Sequence, residues 1–185
     1  MRIKDINIVN FKGFQNETVV FNGNLTVVIG NNTAGKTTLL KAIQVGLGAY
    51  LQSLKQLPGG APYRRNFSSL DKFMRFDEEL RDYIPNEEKP RITINADFPI
   101  TQALCDNCPK VSFIPVHWYR EFAGNYTTHT RACAGELIDA VHQMESLRYD
   151  EKQESVYPLV LAFGAKRTRD SQAKSTSSVK ERASR

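Results

Sequence analysis

Apolar and polar positions alternate from the first residues of this chain. Met1-Arg2-Ile3-Lys4-Asp5-Ile6 starts an extended segment that runs to Phe14, with Gly13 marking a turn or bulge. Thr18 to Phe21 predicts a short strand, and Asn22-Gly23-Asn24 is a hairpin signal leading into Leu25-Thr26-Val27-Val28-Ile29. That last run is continuously apolar or β-branched and predicts a buried strand. The period then changes. Leu39, Leu40, Ala42 and Ile43 form a helical face, and the helix is expected to reach about Leu54 despite Gly46 and Gly48, stopping before Pro58-Gly59-Gly60. Residues 57–70 read as loop. Phe73, Phe76, Leu80 and Tyr83 recur at three- and four-residue steps and predict a short helix over Asp71 to Tyr83. Arg91 to Phe98 and Val111 to Phe122 read as strands, with Cys105-Asp106-Asn107-Cys108-Pro109 as a turn between them. Gly135 to Leu147 predicts an amphipathic helix carrying Leu137, Ile138, Val141 and Met144. Tyr157 to Gly164 is nearly all apolar, the pattern of a strand central in a sheet. Beyond Thr168 no periodicity survives, and no internal repeat is visible. The fold class this predicts is α/β.

Length and charge refine the picture. One domain is the natural expectation for 185 residues. The net charge of +5 belongs to one end: residues 166–185 hold seven Lys/Arg and two acids, and the remainder balances. A Ser/Lys/Arg-rich tail of this kind is expected to be solvated and disordered, and its charge also suits a nucleic-acid contact. No run approaches the ~18 apolar residues of a membrane span, and no signal-peptide core opens the chain. Together with three cysteines, an odd number, this predicts a cytoplasmic protein without a disulfide framework or a membrane partner.

One stretch carries specific chemistry. Gly30-Asn31-Asn32-Thr33-Ala34-Gly35-Lys36-Thr37-Thr38 fits G-x-x-x-x-G-K-[ST], the phosphate-binding P-loop. It lies between an expected strand and an expected helix, as the chemistry requires. Loop N–H groups then converge at a helix N-terminus whose dipole favours a polyphosphate. Lys36 would reach the β/γ-phosphates, and the Thr37 hydroxyl would ligate Mg²⁺. The pattern implies ATP or another nucleoside triphosphate with Mg²⁺. Completing hydrolysis requires an acid at the end of an apolar strand. Asp97 is the best candidate, but Thr93 and Asn95 interrupt its strand, so it reads as a residue of a half-exposed strand. Leu57-Pro58-Gly59-Gly60-Ala61 resembles the LSGGQ signature of ABC ATPases in composition only. It lies too early in the chain, and Pro58 lacks the N–H such a loop needs, so it reads as a turn. Cys105, Cys108, His129 and Cys133 have the ligand types of a Cys₃His zinc site, but the wide middle spacing is permissive, and a hairpin turn with incidental thiols is the favoured reading. His117, beside Trp118, reads as a strand residue rather than a catalytic base.

The order Ile6-x-Ile8-x-Asn10-Phe11-Lys12-Gly13-Phe14, then Val28-Ile29-Gly30-Asn31-Asn32-x-x-Gly35-Lys36-Thr37-Thr38-Leu39-Leu40, resembles the N-terminal lobe of RecF/SMC/OLD-type ABC ATPases. Val116-His117-Trp118-Tyr119-Arg120 and Tyr157-Pro158-Leu159-Val160-x-Ala162-Phe163-Gly164-x-x-Arg167 are similar to a bacterial subgroup of AAA-family or RecF-like ATPases. Some members of that subgroup serve anti-phage systems such as Septu or retron modules, beside a nuclease. The resemblance covers about residues 1–168, with 169–185 as a basic tail or the start of a helical insertion. It implies a P-loop NTPase fold with a mixed sheet around the P-loop helix and antiparallel β-hairpins. It places Asn32 facing the γ-phosphate and attacking water, and Lys12 near the nucleotide's phosphates or base. Thr33 stands where many members have Gly. A Q-loop glutamine is expected in the lobe, and neither Gln143 nor Gln153 is assigned to it.

Signature, Walker B, D-loop and switch histidine reside in a C-terminal lobe in that family, and two heads sandwich two ATP molecules. The residues here supply none of that lobe. The expectation is therefore an ATP-binding half-head whose partners are its own C-terminal lobe or a second head, with DNA and a nuclease further out. Alone it should bind ATP and hardly hydrolyse it. Two other readings stay open at this level. One is a self-contained small P-loop kinase using residues 166–185 as a basic lid. The other is a nucleic-acid-binding module that works through the same tail.

Overall fold

The computed structural model describes residues 1–55, 64–102, 110–149 and 155–162. Its centre is a four-stranded sheet in the order β2-β1-β5-β6, built from β1 (Arg2–Phe11), β2 (Phe14–Val20), β5 (Arg91–Gln102) and β6 (Lys110–Glu121). Every pairing in it is antiparallel. The expected parallel component around the P-loop helix does not form among the described residues.

Alternation sorts the faces. Ile6, Ile8, Ile92, Ile94, Ala96, Phe98, Val116 and Trp118 are buried on one side, beneath helices α1 (Lys36–Ser53) and α2 (Arg131–Tyr149). The other side carries Asn7, which donates to Asn16 and Thr18, and Asn95, which donates to Asp5. This is the signature of an antiparallel sheet with one solvated face. A register shift between Ile3 and Asp5 resolves a conflict of parity. Ile3 pairs with Ala96 and Ile6 with Ile94, so one extra residue at Lys4 lets odd-numbered Ile3 join even-numbered Ile6 and Ile8.

Helix α1 sits close on the sheet because it presents glycine there. A Cβ on Gly46 would lie 2.3 Å from Ile94 Cδ1, and one on Gly48 2.3 Å from Arg120 Nη1. Trp118 Nε1 donates to Gly46 O at 2.9 Å and Arg120 Nη1 to Val45 O at 2.8 Å, so β6 grips the middle of the helix directly. Helix α2 contains a non-helical residue, Ala134 (φ −142°, ψ 25°), one turn into its length. It shields the outer edge of β6, where Glu136 accepts the His117 N–H at 2.7 Å.

Three expectations are corrected. Residues 71–83 are not helical: a 3-10 turn at Ser69–Asp71 leads into a separate hairpin, β3 (Met74–Asp77) and β4 (Asp82–Pro85). Phe76 and Tyr83 meet across the strands with ring centroids 5.4 Å apart. Asp77 accepts the N–H groups of Glu79 and Leu80, and Arg81 takes a positive φ of 52°, which together turn the chain back. Leu25–Ile29 is not buried and joins no ladder among the described residues; Leu25, Val27 and Ile29 are 78, 69 and 88% exposed. The hairpin signal before it forms a bend instead, closed by the Thr26 hydroxyl against the backbone of Asn22. Tyr157 to Ala162 likewise joins no ladder. Tyr157 and Val160 pack against the core, while Leu159 and Leu161 are exposed.

Elsewhere the expected elements stand with shifted ends. The first helix was expected to reach about Leu54 and its last residue is Ser53. The second helix begins at Arg131 rather than Gly135, and β2 begins at Phe14 rather than Thr18. The turn at 57–61, the Cys105–Pro109 turn, Gln153, Phe163, Gly164, Arg167 and the basic tail lie outside the described residues.

Candidate nucleotide site at the N-terminus of the first helix

The glycine loop wraps the start of α1. Gly35 is its N-cap, in the left-handed region (φ 83°, ψ 2°), and the first intrahelical bond runs from Leu39 N to Gly35 O at 2.8 Å. The N–H groups that precede Leu39 therefore have no partner within the helix. No side chain caps this end, and the first turn carries no acid. An 18-residue helix thus presents uncompensated donors and the positive end of its dipole at an exposed loop. That arrangement fits a polyphosphate.

The loop is shaped locally. Ala34 N donates to Asn31 O at 3.2 Å, and the Thr33 hydroxyl bonds the Asn32 carbonyl. Thr33 has φ 76°, a conformation costly for a β-branched residue and easy for glycine. Lys36 Nζ donates to Gly30 O and Asn31 O, both at 2.6 Å, so its ammonium bridges the entry to the loop. Two carbonyls hold this cation beside the positive end of a helix, and the phosphate oxygens of a nucleotide complement both. Thr37 is exposed, leaving its hydroxyl available to Mg²⁺, and Asn32 is exposed on the same loop. Gly30 through Thr38 thus come together as one constellation.

Lys12 is committed to Asp71 and Leu70. Its N–H bonds Asp71 O at 2.8 Å, and its ammonium pairs with Asp71 Oδ1 at 2.7 Å and contacts Leu70 O. Asp71 is 1% exposed. Burial pushes its carboxyl up, but the Lys12 ammonium and the N–H and hydroxyl of Ser68 outweigh that and hold it below the usual carboxylate range. The neighbouring motif residues are equally committed. Asn10 donates to Glu88 Oε2 and accepts from Asn86 Nδ2, both at 2.7 Å, which ties the β3–β4 hairpin to β1. Phe11 is fully buried against Phe67. Phe14 crosses from the sheet to the loop, and a Cβ on Gly35 would lie 2.9 Å from its Cζ. The Asn10–Phe14 motif is a junction between sheet, hairpin and P-loop.

The other candidates do not converge on the loop. Asp97 pairs with Lys4 at 2.8 Å, as befits an alternating half-exposed strand. Cys133 is buried, its sulfur 2.9 Å from the Thr130 hydroxyl at the start of α2. Burial, reinforced by Arg120 and Arg64, pushes His129 down to about 4. Cys105 and Cys108 lie outside the described residues, and among those described no group of three or more His, Cys, Asp or Glu could hold a metal. Gln143 is exposed on α2. The sequence analysis assigns no role to Asp71 or Arg120: Ser68-x-x-Asp71 has the spacing of a capping box and forms one, whereas the Lys12–Asp71 pair and the bonds of Arg120 to Val45, Arg65 and Asn66 join residues far apart in the chain.

A family model described as an AAA ATPase domain matches residues 1–182. The chain belongs to that family. Membership implies nucleotide binding, and it agrees with the loop geometry above. Two curated relatives match a shorter stretch. A retron Ec83 probable ATPase of Escherichia coli is 45% identical over 49 residues, 25% of this chain and 9% of that protein. A DNA double-strand break repair Rad50 ATPase of Sulfolobus acidocaldarius is 43% identical over 47 residues, 25% of this chain and 5% of that protein. The matched stretches are thus less than a tenth of the length of either relative. Among the described residues no helix is long and apolar enough to cross a membrane.

Proposed function

We propose that this chain is the ATP-binding lobe of a RecF/SMC-like ATPase head. The observation that carries the reading is the uncapped, acid-free start of α1, enclosed by the Gly30–Thr38 loop. Gly30, Asn31, Asn32, Thr33, Ala34, Gly35, Lys36, Thr37 and Thr38 are assigned to ATP, with backbone donors and Lys36 on the phosphates. Bound Mg²⁺ would offset the charge of the β- and γ-phosphates, and Thr37 is its protein ligand. Lys12 enters through its place in the family motif; Asp71 orients its ammonium.

Turnover is assigned to groups beyond this lobe. Asp97, the best acid candidate in the sequence, is committed to Lys4. A second lobe and a second head, as in the RecF/SMC pattern, would supply the missing acid and the cap over the nucleotide. The relative named for DNA double-strand break repair and the retron ATPase support a role in DNA transactions or a retron-type system; the paired heads, phage defence and a nuclease partner rest on the RecF/SMC resemblance alone. The kinase and tail-module readings both rest on residues 166–185, outside the described residues. Incubating the chain with labelled ATP and Mg²⁺ and following the products tests the reading. Retained ATP with little ADP is expected. Sustained multiple turnover, or transfer of phosphate to an acceptor, contradicts it.

A further inference from the structure

The P-loop receives little support from the strand before it. Leu25 to Ile29 joins no ladder among the described residues, and Gly30 to Ala34 are exposed. Support comes from α1 behind the loop and from one ring beneath it. Phe14 brings Cζ and Cε1 to 2.9 and 3.1 Å from where a Gly35 Cβ would stand, so the tip of the ring rests on the Gly35 backbone. Gly35 is the residue whose left-handed φ of 83° turns the loop into the helix.

The ring is itself well held. Phe14 opens β2 directly opposite Phe11, across the Lys12-Gly13 turn, and packs partly buried against the core. Phe11 meets Phe67 at 5.8 Å between centroids, and Phe67 meets Phe122 at 6.2 Å. Phe122, Phe67 and Phe11 thus form a series of ring contacts, and the strand pairing of Phe11 with Phe14 joins Phe14 to its end. Phe14 in turn touches the hinge of the loop at Gly35.

We propose that Phe14 is a positioning residue for the nucleotide site. Its ring fixes the left-handed turn at Gly35 and so aims the N–H groups of the first helical turn, Lys36 and the Thr37 hydroxyl at the polyphosphate. A loop set in advance need not be ordered on binding, and affinity rises accordingly. The inference rests on the nucleotide-site reading above and adds to it a residue outside the P-loop that sets affinity.

The test uses the full 185-residue chain and calorimetric titration with ATP and Mg²⁺, with thermal unfolding of each variant. Phe14→Ala is expected to raise Kd about tenfold, with Phe14→Leu restoring most of the affinity. Ile114→Ala, which trims a partly buried core contact on β6, should lower Tm and leave Kd unchanged. Lys36→Ala controls for the site itself. Loss of binding in Lys36→Ala with wild-type Kd in Phe14→Ala overturns the inference and leaves the site standing. Wild-type Kd in Lys36→Ala overturns both. Should Phe14→Ala fail to fold, Phe14→Met and Phe14→Leu decide: affinities graded with ring replacement at similar Tm support the inference, and wild-type affinities in both refute it. Equal losses of affinity in Ile114→Ala and Phe14→Ala would show general loosening and refute it as well.

Discussion

Buried charge sets the pH behaviour of single residues. Arg120 is 1% exposed and has no carboxylate partner among the described residues; it donates to Val45 O, Arg65 O and Asn66 Oδ1. Burial, with Arg64 nearby, pushes it down to about 10, so it stays charged at neutral pH. Burial, that charge and Arg64 keep the nearby His129 neutral until about pH 4. The unfolded chain protonates the same imidazole near 6.5. The folded state therefore binds fewer protons between those values, and stability falls as pH drops from 6.5 toward 4. His129 is partly exposed, so the loss should be about 1–2 kcal/mol, discounted for solvent screening. Asp71 acts lower down: its depressed carboxyl gives stability above the unfolded value near 3.9, lost as pH falls further. Urea unfolding at pH 7 and pH 5 should show His129→Asn losing less stability than the wild type over that interval. Parallel losses in both proteins would refute the assignment.

At the scale of elements, α1 and the sheet are joined by close approach rather than by bulk. Gly46→Ala improves helix propensity by up to about 1 kcal/mol. It also drives a methyl to within 2.3 Å of Ile94 Cδ1. Overpacking costs about 1–3 kcal/mol, so a net fall in stability is expected from chemical denaturation, and a stabilised variant would contradict the packing described. These elements were legible in the sequence because their periodicity is local. Ile92, Ile94 and Ala96 alternate along one strand, and Leu137, Ile138, Val141 and Met144 mark one helical face. The β3–β4 hairpin was not legible, since Phe73, Phe76, Leu80 and Tyr83 mimic a helical stripe. Their true relation, Phe76 opposite Tyr83, depends on a turn built by one Asp77 carboxylate. The loop before α1 was legible as a glycine pattern and Ser68-x-x-Asp71 carries the spacing of a capping box, whereas the Lys12–Asp71 pair and the Phe14 ring on Gly35 join residues far apart in the chain, which no spacing encodes.

At the scale of the molecule, the apolar pattern is only partly used. Leu25, Val27 and Ile29 next to the P-loop, and Leu159 and Leu161 near the end of the described chain, have the composition of buried strands and stand exposed. Apolar strands without a ladder are sites of association. The chain alone should therefore self-associate with rising concentration in light scattering, and Val27→Lys with Leu159→Lys should reduce this. A wild-type monomer at high concentration would count against the half-head account. The same exposure explains why the sequence pattern misplaced these segments: apolar composition signals a need for cover, and the cover is not among the described residues.

The loop at Gly30–Thr38 is where ATP binding is decided. Its most direct test is equilibrium titration of the chain with labelled ATP and Mg²⁺, comparing wild type with Lys36→Ala. Removing a charged group from the phosphates should weaken binding at least about tenfold, in line with 1.5–3 kcal/mol for a charge-assisted hydrogen bond. Equal affinities for the two proteins would contradict it.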